Sequence, residues 1–398
     1  MNAHHVRLSA MGALLALGAF AACSTGEIER SAVDVHDDGG ASAEASTDAG
    51  VVDVGDLDAG GGDGASDAAD AEIPRCTVDW CETALPVPDG GTLKLMDVWV
   101  PAKNDAWAVS EEGHVLRWNG ASWSIVWTAG TALYGIWGDH ENAVWVVGAG
   151  GAIFRGQGGS GWAAVPSGVT SDLVGICEGT RDTEHARNVA IVGIQGTVLR
   201  WTGDTGQDGA PVWSTSSFDP DEELYSISCS GLDVWVAGAN IYDWFDSGGR
   251  LYVNGGAGWE RMQAASATQS YESYDTFVAV WAHDRQNVWT RGSFGIVHSA
   301  PATEGDVSWS RIDTYATLAE GAKRPAAIWG AAANDVWIVS THGRIHHWDG
   351  SGVAITATAK TWDVMQSNLH AVSGSGPDDV WVVGDNVALH RNVQKVGQ

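Results

Sequence analysis

The stretch Leu133-Tyr-Gly-Ile136-Trp137-Gly138, followed by Val144-Trp145-Val-Val147-Gly148, shows the pattern from which the fold of this chain can be predicted. Its apolar and aromatic residues form short runs that end in glycine, which is typical of buried β-strands separated by tight turns. A third short strand and Gly161-Trp162 complete the unit, so that four strands follow one another. The unit shows no 3.6-residue period, and we therefore predict no helix in it.

This pattern recurs seven times along the chain, at spacings of 38 to 54 residues measured at the centre of the second strand. The seven central residues are Trp107, Trp145, Ala190, Trp235, Trp289, Trp337 and Trp381. Four-stranded units of about 40–50 residues in series are the signature of a β-propeller, because one blade cannot bury its own faces and must stack on its neighbours. We predict an all-β, seven-bladed β-propeller over residues 76–398.

The last repeat lacks its fourth strand. The other six end in a fourth-strand tryptophan, at Trp123, Trp162, Trp213, Trp259, Trp309 and Trp362. In the seventh, the third strand is predicted near Ala388–Arg391, and the sequence given ends seven residues later. Thr77-Val-Asp-Trp80 precedes the first repeat in the same way as Trp123 precedes the second. We predict that this N-terminal segment supplies the missing strand and closes the ring.

Four cysteines in the repeat region predict two disulfides. Cys76 and Cys81 flank the closing segment. Cys177 replaces a first-strand tryptophan, and Cys229 lies one position further on in the next repeat, where the two first strands should be neighbours. An even number of cysteines in an exported protein favours the pairs 76–81 and 177–229, with free buried thiols as the alternative. Neither pair has further ligands at metal-binding spacing, so we predict no metal site and no cofactor.

The N-terminus predicts export. Residues 1–22 combine a cation, Arg7, with an apolar run and small residues, which is the layout of a signal peptide. The run ends in Phe20-Ala-Ala-Cys23, which resembles a bacterial lipobox. This resemblance implies lipidation at Cys23 and, because Ser24 follows it, an outer-membrane protein at the cell surface or the periplasmic face. Ordinary cleavage after Ala21, which gives a secreted protein, is the alternative.

The next segment and the overall charge narrow the choice of partners. Residues 23–75 form a linker that is predicted to be disordered, since positions 24–75 hold 14 acidic residues, two basic ones and no aromatic one. The whole chain has 50 Asp plus Glu against 21 Lys plus Arg, a net charge of −29. That balance excludes nucleic-acid binding and a helix lying on anionic lipid. We expect a monomer that touches the membrane only through its lipid anchor.

The repeats also carry a family resemblance. Across residues 77–398 their pattern resembles the tryptophan-rich propeller repeats of bacterial surface lipoproteins of the myxobacterial type. It is similar in layout to tectonin repeats and, more loosely, to Asp-box propellers. The stretch Trp118-Asn-Gly-Ala-Ser-Trp123 lacks the full Asp-box pattern Ser/Thr-x-Asp-x-Gly-x-Thr-Trp. The resemblance therefore implies a fold and surface display, and it implies no particular activity.

Most of the tryptophans are predicted to pack between blades. Twenty of the 22 occupy recurring strand positions, and Trp127 and Trp244 do not. Trp244 lies in an insertion between the second and third strands of repeat four. A second long segment, which contains Tyr271 and Tyr274, follows in the same repeat. Aromatic side chains on such loops can stack on a sugar or a side chain. The resulting ligand-binding candidates are Tyr242, Trp244, Phe245, Tyr271 and Tyr274; a loop packed on its own blade is the alternative.

Basic residues recur on the third strand, and their recurrence indicates a structural role. They are Arg117, Arg155, Arg200, His347 and His390. No catalytic constellation emerges from the sequence. We therefore expect a non-catalytic, surface-displayed binding or scaffold protein that recognises a protein or glycan through one rim of the propeller. The alternatives are a carbohydrate-active enzyme of the glycosidase or sialidase type and a purely structural envelope component.

Overall fold

Seven four-stranded antiparallel sheets make up the described part of the chain, and each sheet is one blade of a propeller. The structure is a computed structural model. It describes residues 76–391 except 78, 139–142, 159, 181–186, 208, 220, 241–247, 263–275, 293–294, 302–306, 313–324, 342 and 356–366. The predicted all-β, seven-bladed architecture is confirmed.

The strands follow the order of the repeats. The first, β1 (Trp80–Glu82), belongs to the last blade. Blades 1 and 2 contain β2 (Leu95–Ala102), β3 (Asp105–Ser110), β4 (His114–Trp118), β5 (Trp123–Thr128), β6 (Leu133–Gly138), β7 (Ala143–Gly148), β8 (Ile153–Gln157) and β9 (Ser160–Ala164). Blades 3 and 4 contain β10 (Leu173–Glu178), β11 (Val189–Gly193), β12 (Thr197–Trp201), β13 (Ser214–Ser217), β14 (Glu222–Ser230), β15 (Asp233–Asn240), β16 (Gly248–Asn254) and β17 (Glu260–Arg261).

The remaining three blades follow the same order. Blades 5 and 6 contain β18 (Ala279–Asp284), β19 (Asn287–Arg291), β20 (Ile296–Pro301), β21 (Val307–Ile312), β22 (Pro325–Ala332), β23 (Asp335–Ser340), β24 (Arg344–Trp348) and β25 (Val353–Ile355). Blade 7 contains β26 (Leu369–Gly376), β27 (Asp379–Gly384), β28 (Val387–Arg391) and β1. Among the described connections between strands, Pro88–Gly90 and Ala149–Gly151 form single-turn 3-10 helices.

The N-terminal strand closes the ring, as predicted. β1 pairs antiparallel with β28, and Trp80 lies opposite Arg391. The strand begins later than the sequence indicated, because Thr77 turns back on Trp80: the Thr77 backbone N–H donates to the Trp80 carbonyl at 2.7 Å. Thr77 and Trp80 are therefore joined by a hydrogen bond of the turn type, and the strand itself covers Trp80–Glu82.

Seven buried apolar clusters hold the described blades together, and each lies between two neighbouring blades. The second-strand tryptophans in these clusters pack between two blades. Trp337, for example, is 1% exposed and packs from blade 6 against Val380 and Trp80 of blade 7. Because both faces of a blade are covered, its second strand is apolar on both sides, which explains the runs of Val and Trp in the sequence.

The basic residues of the third strand lie against the ring faces of the second-strand tryptophans. In blade 1, Arg117 donates two hydrogen bonds to Asp105, at 2.9 and 3.0 Å. Its guanidinium lies 4.7 Å from the centre of the Trp107 ring, within cation–π range. The arginine thus joins the second-strand tryptophan to the residue that begins the second strand.

Other blades repeat this contact with different residues. In blade 7, His390 Nε2 lies 2.7 Å from Asp379, and the imidazole stacks on Trp381 at 4.2 Å between ring centres. The same arrangement holds in part or in full for Arg155 on Trp145, Arg200 with Asn188, and His347 with Asp335 and Trp337. The predicted structural role of the third-strand bases is confirmed. His298, which stacks on Trp289 at 3.9 Å, belongs to the same set and was missed in the sequence.

The Asp379–His390 pair stabilises the fold, and this stabilisation decreases at acid pH. Burial alone raises the pKa of Asp379, but hydrogen bonds from His390 and Ser375 outweigh it and leave the pKa below its ordinary value. A carboxyl whose pKa is lower in the folded state stabilises the fold above its unfolded pKa, about 3.9, and this contribution is lost as the pH falls.

We expect Asp379→Asn to lower the free energy of unfolding by about 2 kcal/mol at pH 6. The difference from the parent should shrink as the pH falls below about 4, because the unfolded chain takes up a proton there and the folded carboxylate follows at lower pH. Urea unfolding at pH 6 and pH 3 measures both values. Asp378→Asn, a change at the exposed neighbour, is the matched control and should resemble the parent at both pH values. A difference that stayed constant with pH would contradict a role for the charge.

Candidate functional site

The first strands of all seven blades surround an axial channel. β2, β6, β10, β14, β18, β22 and β26 line a cavity of about 310 Å³. Each of these strands is hydrogen-bonded within its sheet on one side only, to the second strand of its own blade. The inner edge of each strand, with its backbone groups and side chains, is therefore turned towards the channel.

Tryptophans of the first strands lie on glycines of the next blade. A Cβ at Gly330 would stand 2.5 Å from Cη2 of Trp281, and one at Gly374 would stand 2.6 Å from Cη2 of Trp329. Trp99 occupies the same place against Gly138. The glycine one place after the first-strand tryptophan position, which Ser373 occupies in blade 7, thus makes room for the tryptophan of the preceding blade.

A disulfide takes over this contact between blades 3 and 4. Cys177 has the strand position of the tryptophans, opposite Ala190, and Cys229 has the position of the glycines, opposite Val234. Both predicted disulfides, Cys76–Cys81 and Cys177–Cys229, are present. Two disulfides indicate a protein that folds in an oxidising compartment, extracellular or periplasmic.

Asp97 introduces a carboxyl group into the channel. Its Oδ1 accepts a hydrogen bond from the Val98 backbone N–H at 2.8 Å, and its Oδ2 accepts one from Ile136 of blade 2 at 2.9 Å. Burial raises the pKa of Asp97 to about 7, against the opposing effect of the two N–H groups. The sequence analysis missed this residue, although six repeats carry Gly, Ser or Ala at the same strand position.

The other polar groups in the channel include hydroxyl groups and an imidazole that already has a hydrogen-bond partner. In blade 4, Ser226 accepts a hydrogen bond from the Val280 backbone N–H of blade 5 at 3.1 Å. His370 Nε2 lies 2.7 Å from Asp385. Burial and then the charge of Asp172 raise the pKa of Tyr134. These contacts tie neighbouring blades or connections together and leave Asp97 as the distinctive group.

The candidate rim residues lie outside the described residues. They are Tyr242, Trp244, Phe245, Tyr271 and Tyr274. Cys23, the predicted lipidation site, also lies outside the described residues. The residues that flank the two rim segments are described: Asn240 pairs with Gly248, and the Phe277 backbone N–H donates to the Gly238 carbonyl at 3.2 Å. Trp127, the other unassigned tryptophan, stacks on Trp162 of blade 2 at 4.8 Å, so it packs between blades.

The described ranges hold neither a metal-binding cluster nor a membrane-spanning helix. No group of three or more His, Cys, Asp or Glu side chains in them is arranged to hold a metal ion. None of the helices found there has the length and apolar character needed to cross a membrane.

Comparisons with known proteins agree with this architecture. The sequence matches no protein-family model and no curated protein. YCF48 from Cyanidioschyzon merolae is similar with a TM-score of 0.59 and 14% identity, over 80% of this chain and 100% of that one; a YCF48 bound to D1 peptide is similar to the same degree, over 81% and 100%. Virginiamycin B lyase from Staphylococcus aureus has a TM-score of 0.57 and 13% identity, over 79% and 99%. The WD40 β-propeller domain of Doa1 has a TM-score of 0.55 and 13% identity, over 77% and 96%. Identities this low show the fold alone, and the chain is a seven-bladed β-propeller protein.

Proposed function

We propose that this propeller is a non-catalytic binding protein that recognises a protein or glycan through one rim of the ring. The observation that carries the proposal is the lining of the channel, which contains one carboxyl group, Asp97, among its described residues. Glycoside hydrolysis generally needs two carboxyl groups about 5–10 Å apart. A channel with one carboxyl group is suited to binding.

The internal pairing of the recurring ionisable residues supports the same function. Arg117, His347 and His390 are each bonded to an acidic residue of their own blade and lie against a tryptophan. These residues stabilise the scaffold and are not aimed at a ligand. Recognition is therefore assigned to the connections at a rim, which a rigid ring holds in place.

In blade 4, a buried hydrogen-bonded network lies beside the connection that carries the candidate rim residues. Glu222, which is 7% exposed, accepts hydrogen bonds from the Tyr252 hydroxyl at 2.6 Å and from Arg250 Nε at 3.1 Å. Glu222 also pairs with Asn240, the last described residue before Tyr242 and Trp244. A buried charged network at the foot of a connection supports a precise binding surface. This favours the candidate aromatics of blade 4 as the rim that binds.

We expect Trp244→Ala to weaken ligand binding by at least about tenfold, because stacking on an aromatic ring contributes on the order of 1.4 kcal/mol or more. The ligand is first identified by applying the full chain to a glycan array and a peptide library. The matched control is Leu232→Ala, which removes an exposed apolar side chain from the β14–β15 turn of the same blade. Equal binding by the two variants would contradict the rim assignment, and a silent array and library would contradict the proposed function.

The proposed location is the bacterial outer membrane, with the propeller held by a lipid on Cys23 and the linker 23–75. The two disulfides support export. A linker of about 50 residues spans on the order of 40 Å as a random coil, so it lets the propeller reach partners beyond the lipid surface. Display on a tether suits a binding protein.

A further inference from the structure

We infer that the axial channel binds an alkylammonium group, such as the side chain of a lysine in a partner protein, with Asp97 as its counter-ion. This inference rests on the proposed binding function and adds to the rim a second contact with the partner, inside the channel, with a stated ligand chemistry. It is carried by the position of Asp97 in the ring, by its hydrogen bonds and by the side chains around it.

Asp97 differs from the residues that hold its strand position in the other blades. Six of the seven first strands carry a small uncharged residue at this place, and the full set is Asp97, Gly135, Gly175, Ser226, Ala279, Ala327 and Ala371. The ring therefore forms without an acid there. One blade departs from the pattern, and it does so with a charged side chain that faces the cavity.

The inter-blade contact of Asp97 does not require a charge. Asp97 bonds the Ile136 backbone N–H of the next blade, but Ser226 makes the equivalent bond to Val280 with a neutral hydroxyl. Each carboxylate oxygen of Asp97 accepts one of these backbone hydrogen bonds and has a second lone pair for a ligand. The acid thus supplies an acceptor and a charge beyond what the ring contact uses.

The surroundings select a cation. Among the described residues that line the channel there is no Lys or Arg, and the titratable groups besides Asp97 are Tyr134, Tyr225 and His370. His370 is engaged by Asp385. Because burial holds the pKa of Asp97 near 7, the unliganded channel disfavours the carboxylate charge. A bound cation removes that penalty, since an opposite charge favours the ionised form.

Aromatic rings favour an alkylammonium ligand in particular. Asp97 and Trp99 lie two residues apart in a regular part of β2, so their side chains leave the same face of the strand. Trp99, Trp137, Trp281 and Trp329 all line the cavity and are half-buried. Such rings attract a cation and pack against a methylene chain. A cavity of about 310 Å³ lies within the size range of small-ligand sites and accommodates one side chain.

The test is a calorimetric titration of the full chain with Nα-acetyl-lysine methylamide at pH 8. We expect saturable binding of this compound and none of the neutral Nα-acetyl-norleucine methylamide. Asp97→Ser copies the residue of blade 4 and keeps a neutral hydrogen-bond acceptor, and we expect it to weaken binding at least about tenfold. Asp97→Asn provides a second neutral variant if the first does not fold. Asp378→Asn removes one charge from the exposed surface and should bind like the parent.

Binding should also tighten between pH 6 and pH 8, because Asp97 must be ionised to pair with the ammonium group. Equal binding by the parent and the Asp97 variants, or no binding by the parent, would overturn the inference. If the array or library still yields a ligand in that case, the proposed binding function stands and the channel assignment alone is wrong. If nothing binds in any assay, both are wrong.

Discussion

We expect Trp80→Ala to lower the free energy of unfolding by about 4 kcal/mol. Trp80 is fully buried, and its ring meets Trp337 of blade 6 edge-on at 5.5 Å. It also begins β1, a strand of three residues that completes blade 7. Loss of the side chain therefore leaves a cavity at an interface and weakens the strand that closes the ring. Urea unfolding followed by tryptophan fluorescence measures the effect.

The matched control for this change is Trp259→Ala. Trp259 has the equivalent place before the fourth strand of blade 4, is half-buried, and lies where the chain is continuous through the blade. We expect it to cost about half as much, because less apolar surface is lost and the closure is untouched. Equal losses for the two variants would show that the closing strand contributes no more to the free energy of unfolding than the fourth strand of blade 4.

The second large effect is expected at Gly330. In Gly330→Val the new Cβ would lie 2.5 to 2.8 Å from three ring atoms of Trp281. The tryptophan is half-buried between two blades and its ring is rigid, so the two first strands must separate. We expect a loss of about 3 kcal/mol or failure to fold, and about 2 kcal/mol for Gly330→Ala. Thermal unfolding of both variants gives the order.

A double-mutant cycle identifies the cause of this loss. Trp281→Leu removes the ring that the new Cβ would meet, so the double variant with Gly330→Ala should be more stable than the sum of the single effects by about 1 kcal/mol. Gly376→Ala is the control, because a Cβ at Gly376 meets no atom within 4 Å. Strict additivity would contradict contact between Trp281 and Gly330 as the source of the strain.

The fold could be predicted because its determinants repeat in the sequence. One second-strand tryptophan proves little, but Trp107, Trp145 and their equivalents recur with the same neighbours, and a missing strand at one end matches an extra one at the other. The pair Cys177–Cys229 could be inferred from its repeat positions alone. The reason for these positions is a tryptophan that lies on a glycine of the next blade. The two residues are 39 to 49 positions apart in the chain, so this contact needed the structure.

The site was harder to predict, because a binding residue breaks the repeat instead of following it. Attention to aromatic insertions led to Trp244 and its neighbours, which stay predictions. Asp97 was overlooked, although aligning the first strands by their registers shows it as the charged member of a small, neutral set. Its burial and its hydrogen bond to Ile136 depend on how blades 1 and 2 meet, and no local pattern encodes that distance.

The closing strand has a mechanical consequence. Any pulling force on the chain before Cys76 enters the propeller at this strand, and the Cys76–Cys81 bond carries the force to Cys81, which is paired with His390. From there the tension divides between blade 7, through hydrogen bonds, and blade 1, through the main chain that continues to β2. The load therefore acts on the junction of blades 7 and 1, where the ring closes.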